Sequence, residues 1–357
     1  MLMYEARLSA AMKAVEPLNA DALLVMGLVN VRYLSGFTGS DAAFILTDND
    51  RSLLCDSRYT LQAASETSLC EVSEYKVKLE GIASFIAGRG RRRVAFDAEQ
   101  VPTSFFNSLT KTLPGVEFIP LADQLDQIRT IKSCEEIARI AFSAELASAA
   151  FAELLPLVKP GVSEKELAFK LEMLLKGKGA DEKAFDFIVA SGERGALPHG
   201  RPTERVLRPG EMVTIDFGAC CNGYHSDETV TLAVGKPENR LLDAYAVAKK
   251  AHDLAITAVR PGIDCRVLDA IARDYIESRG FGDFFGHGLG HGVGLEIHEK
   301  PTISSRSSQV VAEGMIFTIE PGIYIPGLGG VRIEDLVEVT FDGCRVLSKV
   351  SKELTIC

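Results

Sequence analysis

Little in this 357-residue sequence points to a polyanion, a bilayer or an oxidising compartment. Acidic residues outnumber basic ones, for a net charge of −10, whereas nucleic-acid binding is carried by clustered Lys and Arg. The one dense basic run, Arg89–Arg93, precedes an expected strand and reads as a solvated turn. No apolar run approaches the roughly 20 residues of a membrane span. The N-terminal stretch is amphipathic and carries an early Glu5, unlike a secretory signal. The eight cysteines include no C-x-x-C, which favours reduced, mostly buried thiols in a cytoplasm over a disulfide framework or a zinc ribbon. The adjacent Cys220 and Cys221 are read as structural too. Histidine is scarce, with six in all and none before His199.

What is present is an ordinary globular composition, 46% hydrophobic and 25% charged, on a chain long enough for two domains. Residues 1–125 alternate short apolar runs (Ala22–Met26, Ala42–Thr47, Ser52–Cys55, Val72–Val77, Val94–Phe96) with helical ones (Leu61–Ser65, Ile82–Ala87, Phe105–Leu113). This pattern predicts a small α/β domain without a catalytic constellation. Arg32, Tyr33, Arg58 and Tyr59 read as surface or interface contacts beside strands, and Leu121–Arg129 as a linker.

Residues 126–357 form the second expected domain. Ser133…Glu136 and Ser163…Glu166 are capping boxes ahead of two helices. The first helix stops at Lys159-Pro160-Gly161, the second at Gly177–Gly179. A hairpin follows, Met212–Gly218 with Asp227–Val234 across Asn222-Gly223, a strong two-residue turn signal. The scheme then repeats: a helix from Arg240 to Val259, one capped by Asp264 and ending near Gly280, and a hairpin of Met315–Tyr324 with Val331–Thr340. The junctions KPGVS (159–163) and RPGID (260–264) echo each other, so this half reads as an internal duplication with a pseudo-twofold axis.

Within the second repeat, between its helices and its hairpin, lies Gly286–Glu299, GHGLGHGVGLEIHE, with three of the six histidines. Its glycines fit no nucleotide-loop register, and neutral imidazole is the commonest metal ligand. Each hairpin also carries two acids on otherwise apolar strands. In the register set by Asn222-Gly223, Asp216 faces Thr229, and Asp227 lies on the same face, diagonal to Asp216. Glu320 and Glu334 are symmetric about Gly327, and direct pairing would put both on one face. Four buried carboxylates repel unless cations neutralise them, and His291 adds a softer ligand. Such an oxygen-rich set suits a pair of divalent ions such as manganese, cobalt or zinc; a metal-free carboxylate cluster is the rival arrangement.

The segments ALPHGRPT (196–203), TIDFG (214–218), SDETVT (226–231), GHGLGHGVGLEIHE (286–299), TIEPGIY (318–324) and GVRIEDLV (330–337) resemble those of the metal-dependent Xaa-Pro peptidases, aminopeptidase P and prolidase. They fall in that family's order across the second domain; YLSGFTGSDA (33–42) is a softer match to its first domain. The resemblance implies a pita-bread catalytic domain behind an α/β N-terminal domain. It implies two divalent ions, manganese before cobalt or zinc, on Asp216, Asp227, His291, Glu320 and Glu334, with Asp227 and Glu334 bridging. By the same resemblance His199, His287 and His298 bind substrate and stabilise the transition state, Glu320 doubles as general base, and Arg332 supports the carboxylates. Val230 departs from the family, where Arg is frequent. The implied activity is cleavage between an N-terminal residue and a following proline, by a cytoplasmic homodimer that needs neither nucleic acid nor membrane. An Xaa-Pro dipeptidase is the alternative, ahead of a methionine aminopeptidase, a creatinase-like enzyme or a non-enzymatic binding module. Thr302, neutral where some dipeptidases place an Arg for the substrate carboxylate, favours peptides longer than two residues. His225 reads as structural, His252 receives no role, and Tyr324 is either a ligand's support or a packed aromatic.

Overall fold

The apolar runs of the first third are three to six residues long and rich in branched side chains, which suits strands rather than helices. In the computed structural model, which describes residues 2–357, these five runs and the additional strand Glu117–Leu121 form one six-stranded sheet. Its order is Glu71–Glu74, Arg51–Cys55, Ala43–Leu46, Ala22–Val25, Arg93–Asp97, Glu117–Leu121. Ala43–Leu46 and Ala22–Val25, in the middle, are buried along their whole length. Two details depart from the sequence reading. Tyr33 lies on the helix Leu28–Ser35 and is buried, its ring under the Arg7 guanidinium at 4.1 Å. The segment expected to be a linker completes the strand Glu117–Leu121 and then forms the helix Gln124–Thr130. Leu121 and Leu125, four residues apart, are both buried, and Arg129 is tied to Asp126 at 2.9 Å. The compact units divide between Arg129 and Thr130.

In the second unit both serine capping boxes are formed, ahead of the helices Cys134–Leu154 and Glu164–Gly177. With its trailing turn, the first of these (Cys134–Leu157) is long and apolar enough to cross a membrane, by length and composition only. Its scattered charges hid that property in the sequence. It serves here as a core helix, half buried. Phe151 stacks on Phe217 at 5.0 Å, and Ser143 and Ser148 donate to the Tyr224 carbonyl (2.9 Å) and the Glu228 carboxylate (2.6 Å).

The duplication extends to the backbone bonds. In the first half Glu228–Val234, Glu211–Phe217 and Ile188–Ser191 lie side by side, antiparallel. In the second, Asp335–Val339, Ile316–Ile319 and Gly290–Gly292 repeat that order. At the echoed junctions Gly161 donates to Leu207 and Leu207 to Val162, while Gly262 donates to Val311 and Val311 to Ile263. Both glycines adopt a left-handed φ, +90° and +88°, which favours Gly. Asp264 occupies its expected position but its side chain makes no capping bond. The helix Cys265–Ser278 is started instead by Cys265 donating to the Gln309 carbonyl. The hairpin at Asn222-Gly223 has positive φ at both residues, as the two-residue turn requires, and Asp216 does face Thr229.

Candidate metal centre

The second hairpin keeps its register about Gly327, pairing Ile319 with Asp335 and Gly322 with Arg332. Between those pairs one bond continues the ladder, from the Ile333 N–H to Pro321 O (3.3 Å), which leaves Glu320 and Glu334 at a position that exchanges no bonds. The backbone N–H of Glu320 goes to Leu289 O (2.8 Å) and that of Glu334 to Thr229 O (3.1 Å). The two acids are therefore not a directly bonded pair; each is held by another element, which aims both into one cavity. The segment bearing His291 is packed as closely. A Cβ on Gly290 would lie 1.9 Å from Thr318 O, and one on Gly292 2.1 Å from Lys300 O, so only glycine lets these strands approach.

Asp216, Asp227, His291, Glu320, Glu334, His199, His287, His298 and Arg332 all line that cavity, which has a volume of about 880 Å³. The Nε2 of His291 stands 3.6 Å from Asp227 Oδ2 and 3.5 Å from Glu320 Oε1. Ligand atoms of Asp227, His291 and Glu334 lie within 4.8 Å of one another. The hydroxyl of Thr229 donates to Glu334 Oε2 (2.6 Å) and that of Thr318 to Glu320 Oε1 (3.3 Å). Arg332 is buried and makes four hydrogen bonds: it donates to Asp216 Oδ2 (2.6 Å), Thr229 Oγ1 (3.2 Å), Tyr324 Oη (3.0 Å) and Pro198 O (2.9 Å). Tyr324, which the sequence left open, contacts His287 Nε2 at 2.9 Å.

Burial, then the neighbouring Glu334, Asp216 and Glu320, pushes Asp227 well above the usual carboxylate range. Burial, then Glu320 and Asp216, does the same to Glu334, and burial also raises Glu320. Burial lowers His291, His287 and His298, so these imidazoles favour the neutral state. A cation fits this donor set. The Nδ1 of His291 faces Gly292 O at 3.1 Å; a carbonyl only accepts, so Nδ1 carries the proton and the Nε2 lone pair points at carboxylate oxygens. With the carboxylates ionised, that contact is repulsive unless a positive ion lies between them. The second oxygen of Asp216 is buried without a hydrogen-bond partner, which again suits a metal ligand.

The histidines differ in what they can offer. His199 and His298 are exposed to the cavity, and the His298 ring meets the His291 ring edge-on at 4.3 Å. His287 has both nitrogens engaged, Nδ1 by Gly288 O (2.8 Å) and Nε2 by Tyr324 Oη. His225 contacts Gly294 O at 3.2 Å, and His252 is buried between Asp253 and Asp335; neither lines the cavity. Sequence reading missed Asp269 and Arg273, which hold the backbone around His287. Their spacing of four on a helix looks like a solvated pair, and only burial sets it apart.

Residues 138–341 match Metallopeptidase family M24, and residues 7–131 match the Creatinase/Prolidase N-terminal domain. The chain is 38% identical over 348 residues to an Xaa-Pro dipeptidase of Pyrococcus furiosus, covering 98% of this chain and 99% of that one. Among solved structures, an Xaa-Pro dipeptidase from Bacillus anthracis superposes with a TM-score of 0.97 at 37% identity, over 99% of this chain and 100% of that one. An X-Pro aminopeptidase from Thermotoga maritima does so with 0.91 at 35%, over 98% and 99%. The chain belongs to metallopeptidase family M24, with a creatinase/prolidase N-terminal domain ahead of a pita-bread catalytic domain.

Proposed function

We propose that this protein hydrolyses the bond between an N-terminal residue and a following proline, using two divalent ions, manganese before cobalt or zinc. The observation that carries the reading is the imidazole–carboxylate cluster, with the His291 lone pair directed at Asp227 and Glu320. The names of the relatives supply the Xaa-Pro substrate class. Asp216, Asp227, His291, Glu320 and Glu334 would hold the ions. When bound, these would lower the pKa of a water and polarise the scissile carbonyl.

The remaining work falls to the chain's own groups. Arg332 fixes Asp216 from behind through Nη2 and ties it to Tyr324 through Nη1. Thr229 and Thr318 orient Glu334 and Glu320 by donating to one oxygen of each. Glu320, whose affinity for a proton is raised by burial, accepts the proton of the attacking water and returns it to the departing proline nitrogen. His199 and His298 are exposed on the cavity wall, where an imidazole N–H can donate to the carbonyl oxygen as charge develops on it. Phe185, Ile188, Phe284 and Ile297 give the same cavity an apolar side, suited to a pyrrolidine ring.

For substrate length we favour the aminopeptidase reading. Thr302 is exposed in the cavity and neutral, its backbone N–H taken by Gln309 at 3.2 Å. A dipeptide's carboxylate would find no fork of donors there. Arg201 favours the dipeptidase reading. It also lines the cavity, is exposed, and lies 3.9 Å from Asp186 as its ion-pair partner. The deciding experiment compares kcat/KM for Ala-Pro and Ala-Pro-Ala under identical metal loading, in wild type and Arg201→Ala. A tenfold or greater preference for Ala-Pro, lost in the variant, makes this a dipeptidase served by Arg201. We further propose a cytoplasmic homodimer, supported by the cysteine pattern and by the family; sedimentation of the purified protein tests the dimer.

A further inference from the structure

We propose that Asp269 and Arg273 are positioning residues that clamp the glycine-flanked segment bearing His287, and so set the His287–Tyr324–Arg332–Asp216 relay beside the metal ligands. The proposal deepens the peptidase reading above and rests on it for its kinetic arm. The two residues lie one turn apart on the helix Cys265–Ser278 and form a two-point ion pair, Nε to Oδ2 at 2.8 Å and Nη2 to Oδ1 at 2.9 Å. Asp269 is 1% exposed, so this is not the solvated pair that its spacing suggests.

The hydrogen bonds left over on both side chains go to one short stretch. Arg273 donates from Nη1 to Phe285 O (3.1 Å) and from Nη2 to His287 O (2.7 Å), while Asp269 Oδ1 accepts the Leu289 N–H (3.0 Å). Residues 285, 287 and 289 are thus tied to one ion pair by their backbones. The guanidinium also lies 4.3 Å over the Phe285 ring, whose neighbour, edge-on at 5.1 Å, is the His287 imidazole.

The reason such a clamp is needed is in the sequence. Gly286 and Gly288 flank His287, and glycine leaves a backbone its widest choice of conformations. The flanking backbone alone therefore does little to fix the His287 ring. With the clamp closed, Nε2 meets the Tyr324 hydroxyl at 2.9 Å, that hydroxyl accepts from Arg332 at 3.0 Å, and Arg332 holds Asp216 at 2.6 Å. The ion pair on the helix thereby governs a chain of four side chains that ends on a metal ligand.

The test uses the full-length protein with Asp269→Asn and Arg273→Lys, which keep size or charge but not the two-headed fork. Two readouts do not depend on turnover: amide hydrogen exchange over 285–290, and the imidazole ¹⁵N shifts of His287. The third is kcat and KM for the Xaa-Pro peptide cleaved best, measured for Arg273→Lys in the wild-type and His287→Ala backgrounds. We expect faster exchange confined to 285–290, altered His287 shifts and unchanged bound metal. We also expect kcat to fall about ten- to hundredfold with KM little changed, since small misplacements near a reacting centre cost that much. In the His287→Ala background the same substitution should change kcat less than about twofold, as coupled residues are not additive. Unchanged exchange at Leu289, or equal kcat losses in both backgrounds, overturns the proposal. If the wild type cleaves no Xaa-Pro peptide, the peptidase reading fails by itself, and exchange with the ring shifts still decides the clamp.

Discussion

Arg332→Met separates a structural from an ornamental role for the buried guanidinium of the cavity. The substitution conserves bulk but removes the group that serves Asp216, Thr229, Tyr324 and Pro198. Asp216 is 8% exposed, and its other oxygen has no hydrogen-bond partner, so water cannot readily replace the lost bond. Removing one partner of a buried ion pair costs about 3–5 kcal/mol, because the other charge stays buried and unpaired. For a unit spanning Thr130–Cys357, each kcal/mol moves the melting temperature by about 2–4 °C, which predicts a fall of roughly 6–20 °C. A cation against Asp216 would compensate part of the missing charge, so the fall should be larger in EDTA than with saturating manganese. The assay is thermal unfolding followed by circular dichroism in both conditions, with metal content measured on the same samples. A variant that melts within about 2 °C of wild type in EDTA would refute the reasoning, since the pair would then cost as much to bury as it returns.

Three further outcomes follow from the geometry. Asp227→Asn and Glu320→Gln should each abolish hydrolysis and weaken manganese uptake in calorimetric titration, because a neutral amide loses both charge and water activation; near-normal kcat at saturating manganese would remove the two-metal assignment. His298→Ala should lower kcat/KM about 10²–10³-fold, the usual loss for one donor to a developing oxyanion, with metal content unchanged; loss of metal instead would mean that His298 is a ligand. In the first unit, burial raises Asp97 to about 6 although its carboxylate accepts the N–H groups of Met26 and Gly27. An acid whose folded pKa is raised favours the folded state when protonated, so stability is lost as pH climbs from about 4 to 6. Each pH unit across that window removes roughly 1.4 kcal/mol, about 3 kcal/mol in all. Asp97→Asn should flatten the dependence of the urea midpoint on pH over the same range, and parallel curves for variant and wild type would contradict the assignment.

The sequence by itself determined the features that are local or periodic. Capping boxes at Ser133 and Ser163, the Asn222-Gly223 turn and the facing of Asp216 and Thr229 all follow from short-range rules. The repeated junctions revealed the duplication because each half must satisfy the same backbone bonds. Acids on apolar strands and histidines among glycines marked the site, since neither pattern serves packing alone. Tertiary structure decided what depends on distant partners. It supplied the outer partners of the second hairpin: Leu289 O and Thr229 O accept the Glu320 and Glu334 N–H groups, which point away from each other at a non-hydrogen-bonded position of the ladder. It turned Leu121–Arg129 from a linker into strand and helix by burying Leu121 and Leu125. It engaged both nitrogens of His287 and gave Tyr324 a partner on either side. The pairing of Asp269 with Arg273 could be guessed from their spacing, but whether that pair faces water or a catalytic loop is a property of burial, and burial is set only when the helix meets the rest of the unit.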